Sequence, residues 1–266
     1  MAEQRQHSTD TVGGRPVLVA VAHGSRDPGA LRTVGALVDR VRAVRPDLDV
    51  RLGHIEIDRP LLPDTLAELR GDAVLVPLLL GRGHHVTYDI PQALAAAGGQ
   101  VRARVAAPLG PHPLLVEALH GRLVEAGWRL DPHAARQSAV VLAAAGSRDP
   151  ASALDTRRTA RLLGERLGVP VLAAYASAAS PSVPEALRAL AARGRHRVAI
   201  ASYFTAPGRF AAQSAAQAPW LAAAPMGAHP AMARLVLHRY AQALARTPAV
   251  GGPCPVAAGV PARVAV

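Results

Sequence analysis

Short runs of wholly apolar residues alternate along the chain with longer stretches in which apolar residues recur every three or four positions. Residues 16–22, PVLVAVA, are apolar at every position. That pattern suits a strand covered on both faces. In the stretch that follows, Leu31, Val34, Leu37, Val38 and Val41 fall on one stripe of a helix. The alternation continues with a strand in 49–57, a helix over 60–70 that opens on prolines, and a strand over 73–80. Proline is tolerated in a helix's first turn, where its missing N–H costs nothing. A short helix at 89–97, a strand at 101–107 and a helix at 112–126 complete the series. Strands alternating with helices predict a mainly parallel, doubly wound α/β sheet of four strands. Ligands bind such sheets beyond the carboxyl ends of the strands.

The same series then occurs again. GSRDP at 24–28 returns at 146–150, and PLLPDTLAEL from Pro60 is matched by PSVPEALRAL from Pro181. DAVLVPLLLGRGHH from Asp72 aligns with RVAIASYFTAPGRF from Arg197, and APLGPHP from Ala107 with APMGAHP from Ala224. Four co-linear matches at nearly constant offset identify a tandem duplication. The predicted organisation is a flexible tail over 1–14, a first flavodoxin-like domain over 15–132, a second over 137–247 and a Pro/Gly-punctuated tail over 248–266. Residues 131–137 serve as linker.

Composition narrows the function. No apolar run approaches the ~20 residues of a membrane span. The first residues are polar and lack a secretory core. A cytoplasmic protein without membrane contact is expected. The single cysteine, Cys254, excludes an intrachain disulfide. The formal charge is +11, and all 30 basic residues are arginine. Lysine and asparagine are absent, as a GC-rich coding sequence would produce. The charge still attracts an anionic partner. The arginines are scattered and aromatics are few (two Trp, four Tyr, two Phe). A nucleic-acid partner is therefore not expected, and a small polycarboxylate would be steered as well. Neither a Walker A pattern nor G-x-G-x-x-G follows the first strand, so no nucleotide is expected.

Chemistry concentrates at strand ends of the first copy. His23 ends the first strand, Glu56 stands near the end of the second, and His84, His85 and Asp89 follow the third. Imidazoles with a carboxylate can bind a divalent metal and can accept protons near neutral pH. The second copy provides an internal control. The counterparts of His23, Glu56, His84 and His85 are Ala145, Ser177, Arg209 and Phe210. The scaffold phrases persist while the candidate ligands vanish together, as expected of one functional unit. His112 and His229 persist in both copies at helix starts and read as structural caps. Arg26 and Asp27, repeated as Arg148 and Asp149, read as loop structure, for instance a local ion pair. Asp89 could cap the helix that begins at Ile90.

VLVAVAHGSRDP, HIEIDRP and LLLGRGHHVTYDIP together resemble the class II tetrapyrrole chelatases, the sirohydrochlorin and anaerobic cobalt chelatases. The resemblance spans about 15–247 and is similar to the long form with two fused domains. It implies ATP-independent insertion of Co²⁺ or Fe²⁺ into a sirohydrochlorin-type tetrapyrrole, in cobalamin or siroheme synthesis, by a lyase-type chelatase acting as a monomer. It implies that His23 and His85 hold the metal and take protons, that Glu56 assists in one of those tasks as a further metal-ligand candidate, and that His84 ranks second among the ligands. Arg26 and Arg82 are the candidate partners of the macrocycle's carboxylates. The alternative is a non-catalytic tetrapyrrole or metal carrier on the same fold.

Overall fold

The computed structural model describes residues 15–246 except 84, 130 and 132. The two expected tails, at 1–14 and 248–266, and His84 therefore lie outside the described residues. The first half contains β1 (Val17–Ala22), α1 (Pro28–Val44), β2 (Val50–His54), α2 (Leu62–Ala67), β3 (Gly71–Pro77), α3 (Ile90–Ala96), β4 (Val101–Val105) and α4 (Pro113–Glu125). The second contains β5 (Ser138–Ala144), α5 (Pro150–Leu167), β6 (Val171–Tyr175), α6 (Val183–Ala191), β7 (Arg197–Ser202), α7 (Arg209–Ala215), β8 (Leu221–Ala222) and α8 (Pro230–Ala245). Each half forms a four-stranded parallel sheet, with orders β2-β1-β3-β4 and β6-β5-β7-β8. This is the duplicated α/β architecture that the repeat predicts.

The apolar run of β1 splits by alternation. Leu18, Ala20 and Ala22 face an inner core, whereas Val19 and Val21 face an outer one with α2 and α3. In β5, Val140, Leu142 and Ala144 face the same inner core, and Ala139, Val141 and Ala143 pack beneath α6. A single inner core thus runs between the sheets, filled by α1, α4, α5 and α8. Each fully buried leucine there contributes about 1.5–3 kcal/mol relative to exposure.

The two last helices are exchanged. Helix α4 leaves the first sheet and packs with α5 over the second, where Trp128 meets Trp220 with ring centroids 5.4 Å apart. Helix α8 returns to cover β3 and β4 beside α1. Its Tyr240 hydroxyl donates to the Pro16 carbonyl (2.6 Å), and Arg104 on β4 donates to the Leu244 carbonyl (3.1 Å). The linear division at 132/137 therefore does not divide the molecule in space at the ends of the copies. Helices α4 and α8 meet reciprocally. His112 packs on His238 of α8 (4.8 Å between rings), and its counterpart His229 sits on Gly121 of α4. A Cβ at Gly121 would lie 2.5 Å from His229 Nε2.

Both histidines cap as expected. His112 Nδ1 accepts from Leu114 N–H and His229 Nδ1 from Ala231 N–H, each at 3.1 Å. Asp27 and Asp149 cap α1 and α5 by accepting from Gly29 and Ala151 N–H (2.8 Å each). The shared SRD phrase thus starts helices, and Asp27 acts as a cap rather than in a local ion pair.

Candidate functional site

Because β1 lies between β2 and β3, the loops after these three strands are neighbours. The loop after β1 is locked to the one after β2. His23 C=O accepts from Glu56 N–H (3.0 Å), and Gly24 turns with φ +102°. A Cβ at Gly24 would sit 1.8 Å from the Glu56 carbonyl oxygen, so only glycine fits. The second half repeats this backbone. Ala145 C=O accepts from Ser177 N–H (2.9 Å), and Gly146 has φ +93° with the same 1.8 Å approach to Ser177.

This locking carries Glu56 to His23, with Oε1 3.4 Å from Nδ1. The same nitrogen lies 3.2 Å from Gly24 C=O. Both neighbours are acceptors, so Nδ1 carries the proton and Nε2 keeps its lone pair. After β3, residues His85–Asp89 form one π-helical turn that runs into α3. The turn places His85 Nδ1 2.6 Å from Asp89 Oδ2. By the same reasoning His85 offers Nε2. The two imidazoles meet edge to face, with centroids 4.4 Å apart. The result is two carboxylate–imidazole pairs in contact, the arrangement that fixes tautomer and ring orientation in metal-handling histidines. Asp89 makes no capping bond to α3.

Among the described residues, no three His, Cys, Asp or Glu side chains stand ready to cage a metal ion. All four side chains keep contact with solvent.

The pairs open onto a cleft between the halves. Two cavities of about 370 and 410 Å³ share His23, Leu78, Leu79, Ala145, Phe204 and Thr205. The second half's counterparts line it as well: Ala145, Arg209 and Phe210. The Ser177 hydroxyl donates to Ala145 C=O (2.9 Å) where Glu56 instead reaches its histidine. The Arg209 guanidinium lies over the Phe210 ring at 4.8 Å, and no carboxylate among the described residues pairs with it.

The two arginines expected from sequence stand differently. Arg82 lines the cleft, but its fork grips Asp155 of α5 through two bonds of 3.0 and 2.9 Å, tying the halves together. Arg26 is exposed and does not line either cleft cavity.

His54, the last residue of β2, adds a histidine that the sequence pattern leaves unmarked. It is 1 % exposed, its Nδ1 faces Pro60 C=O at 3.2 Å, and its buried Nε2 has no hydrogen-bond partner in the structure while the residue lines the cleft. The four-residue spacing from His85 to Asp89 carried a signal for their pairing; nothing in the local pattern distinguished His54 from a core position of β2. Tyr203 is structural: burial pushes its phenol up to about 12, and it bridges Thr159 to the Leu80 carbonyl across the halves.

No described helix is long and apolar enough to cross a membrane. The sequence profile of the CbiX family matches residues 17–126 and again 139–243. The sirohydrochlorin cobaltochelatase of Methanococcoides burtonii is 28% identical over 123 residues, 41% of this chain and 94% of that protein. That of Priestia megaterium is 29% identical over 196 residues, 69% of this chain but 62% of its own length. SirB from Bacillus subtilis, solved with Fe³⁺, superposes with a TM-score of 0.71 at 23% identity, over 86% of this chain and 96% of that one. At that identity the superposition establishes the fold.

Proposed function

The chain belongs to the CbiX family, which matches both of its sequence copies, and from that premise we propose that it is a sirohydrochlorin chelatase, inserting Co²⁺ or Fe²⁺ without ATP. The observation that carries the reading is the pair of touching imidazoles, each with its Nδ1 held by a carboxylate, at the wall of an arginine-bearing cleft. Curated relatives bearing this name in two organisms add support.

Metallation exchanges one M²⁺ for two pyrrole N–H protons. The ion loses water and protein ligands as the ring nitrogens lose protons. Imidazole suits both halves of this exchange, because it binds borderline metals without the hold of thiolate and accepts protons near neutrality. In this reading His23 and His85 present Nε2 to the ion. Glu56 and Asp89 keep the Nδ1 protons in place and stabilise each imidazolium as it forms. In this reading Glu56 acts first as a positioning residue for His23. An imidazole that has given up the ion takes a pyrrole proton and passes it to water.

The macrocycle would occupy the cleft, its carboxylates reaching Arg209, whose fork is not engaged by a carboxylate of the described chain. Arg26 is a second candidate at the rim, and Arg82 would have to release Asp155 to take part. Residues 15–132 would carry the working site and 137–247 a degenerate one that serves as substrate wall. The reading keeps the expectations of a monomer in the cytoplasm, with neither nucleic acid nor nucleotide involved.

The test is the absorbance change of sirohydrochlorin on adding Co²⁺ or Fe²⁺ with and without protein. Acceleration beyond the spontaneous rate is expected. Tight binding of macrocycle without acceleration would favour the carrier. The metal that gives the higher kcat/KM decides between the cobalt and iron pathways.

A further inference from the structure

We infer that the two reactants reach the His23–His85 pair from opposite faces of the first sheet: the macrocycle through the cleft, the metal ion through an outer groove between α2 and α3. The inference rests on the chelatase reading for the identity of the reactants and adds how they are kept apart.

The groove is a cavity of about 410 Å³ whose lining includes Glu56, Leu62, Pro63, His85, Asp89 and Gln92. Helices α2 and α3 pack on the outer face of the sheet, against Val19, Val21 and Leu75, whereas the cleft lies on the inner side, towards the second half. His85 lines both the groove and the cleft. His85 therefore stands where the two cavities approach each other.

The charges are sorted in the same way. The groove carries two carboxylates, Glu56 and Asp89, and no arginine. The cleft carries two arginines, Arg209 and the Asp155-paired Arg82, against one carboxylate, Asp58. In a chain of formal charge +11, a divalent cation is repelled by most of the surface. A carboxylate-lined recess focuses the opposite potential and raises the local cation concentration. The polyanionic macrocycle has the reverse preference. Geometry adds a second reason. A flat macrocycle seated against His23 and Ala145 covers the cleft side of the histidines. With the cleft as sole access, every ion would have to bind first; with the groove, an ion can arrive beneath a macrocycle already in place.

The test measures Co²⁺ association by stopped flow on the full chain, with metal alone, reading the absorption of bound Co²⁺ and using His85→Ala as the blank. Two plugs are compared: Ala96→Trp at the exposed end of the groove, and Ala145→Trp in the cleft. Ala96→Trp is expected to slow association by about ten-fold, and Ala145→Trp to leave it within about two-fold. The equilibrium affinity of Ala96→Trp should not move, because a blocked route slows arrival and departure alike. Gln92→Lys, which places a cation at the lip, should slow association by a similar factor of about ten, and added salt should shrink that effect. Slowing by Ala145→Trp alone, equal slowing by both, or slowing by neither overturns the inference. So does a changed affinity in Ala96→Trp, which would make that end of the groove part of the binding set. If the plugs behave as expected but the protein does not accelerate metallation of sirohydrochlorin, the chelatase reading fails and the route stands.

Discussion

The loops after β1 and β5 share one backbone and carry different chemistry. Gly24 and Gly146 turn with similar positive φ, +102° and +93°, and a Cβ at either would meet a carbonyl oxygen at the same 1.8 Å. Asp27 and Asp149 cap the next helix at the same distance. Yet one loop presents His23 to Glu56 and His85, and the other presents Ala145 beside Ser177 and Phe210. The comparison separates what the fold requires from what a reaction requires. The glycine, the cap and the locked carbonyl recur wherever the strand must turn into its helix. The imidazoles His23 and His85 and the carboxylate Glu56 have no like residue at the matching positions of the second half. That half is not vacant, however. It places an arginine over an aromatic ring where the first half has two histidines, a change that suits gripping a flat anion.

The widest difference between the halves should appear in the first-strand residues. His23→Ala is expected to lower the metallation rate by about 10²–10⁴-fold, the range lost with a catalytic proton acceptor. Ala145→His should change it by less than about two-fold, because no carboxylate at Ser177 would orient the new ring and no imidazole at Phe210 would join it. Initial rates followed by sirohydrochlorin absorbance decide this; a gain of activity in Ala145→His would break the contrast.

Smaller, but sharper about roles, are the carboxylates. Glu56→Gln and Asp89→Asn should each weaken Co²⁺ binding by about 10–100-fold, as loss of a histidine's orienting partner does. Ser177→Glu should leave it unchanged. Equilibrium titration with Co²⁺ is the measurement. If Glu56→Gln were neutral while Asp89→Asn was not, the two pairs would not be equivalent.

Next comes the second half's own contribution. Arg209→Glu should raise KM for sirohydrochlorin by about ten-fold, the loss of one charge-assisted contact, with kcat at saturation and Co²⁺ association unchanged. A fall in kcat alone would move Arg209 from holding substrate to assisting the chemistry.

The smallest effect concerns the histidines that both halves kept. Burial holds the pKa of His112 and His229 below the ordinary histidine value. Each must be neutral at Nδ1 to accept its helix N–H. Over the window between the lowered folded value and the unfolded value of about 6.5, the unfolded chain binds more protons. The stability from these groups is therefore present above about pH 6.5 and is lost as pH falls through the folded values. Tm should drop on acidification through this window. His112→Ser and His229→Ser, which keep a capping oxygen that does not titrate, should each flatten the slope by a similar amount. Unequal slopes would show that the reciprocal contacts on His238 and Gly121 are not energetically equivalent.

Much of this was legible in the chain. Continuous apolar runs with turn residues after them mark the strands, and in a doubly wound sheet the strand ends share one rim, which carries His23, Glu56 and His85; the order β2-β1-β3 makes their loops neighbours. The finer grouping was not legible. Asp89 follows a helix-start pattern, yet a π-helical turn diverts its carboxylate to His85. Arg82 precedes by two residues the position that matches Arg209, and only the packing of the halves ties one to Asp155 and leaves the other over Phe210.

The sequence by itself determined the elements, their duplication, the parallel sheets and the set of residues that meet beyond the first three strands. These follow from local periodicity and from strand adjacency, both of which are written along the chain. Tertiary structure alone decided that α4 covers the second sheet and α8 the first, which arginine faces the cleft unpaired, and that His85 stands between an acidic groove and a basic cleft. The reason is that a duplicated chain makes two inner sheet faces of the same apolar design. The place of α4 is marked by contacts such as Trp128 with Trp220 and His229 with Gly121, which join residues from opposite halves.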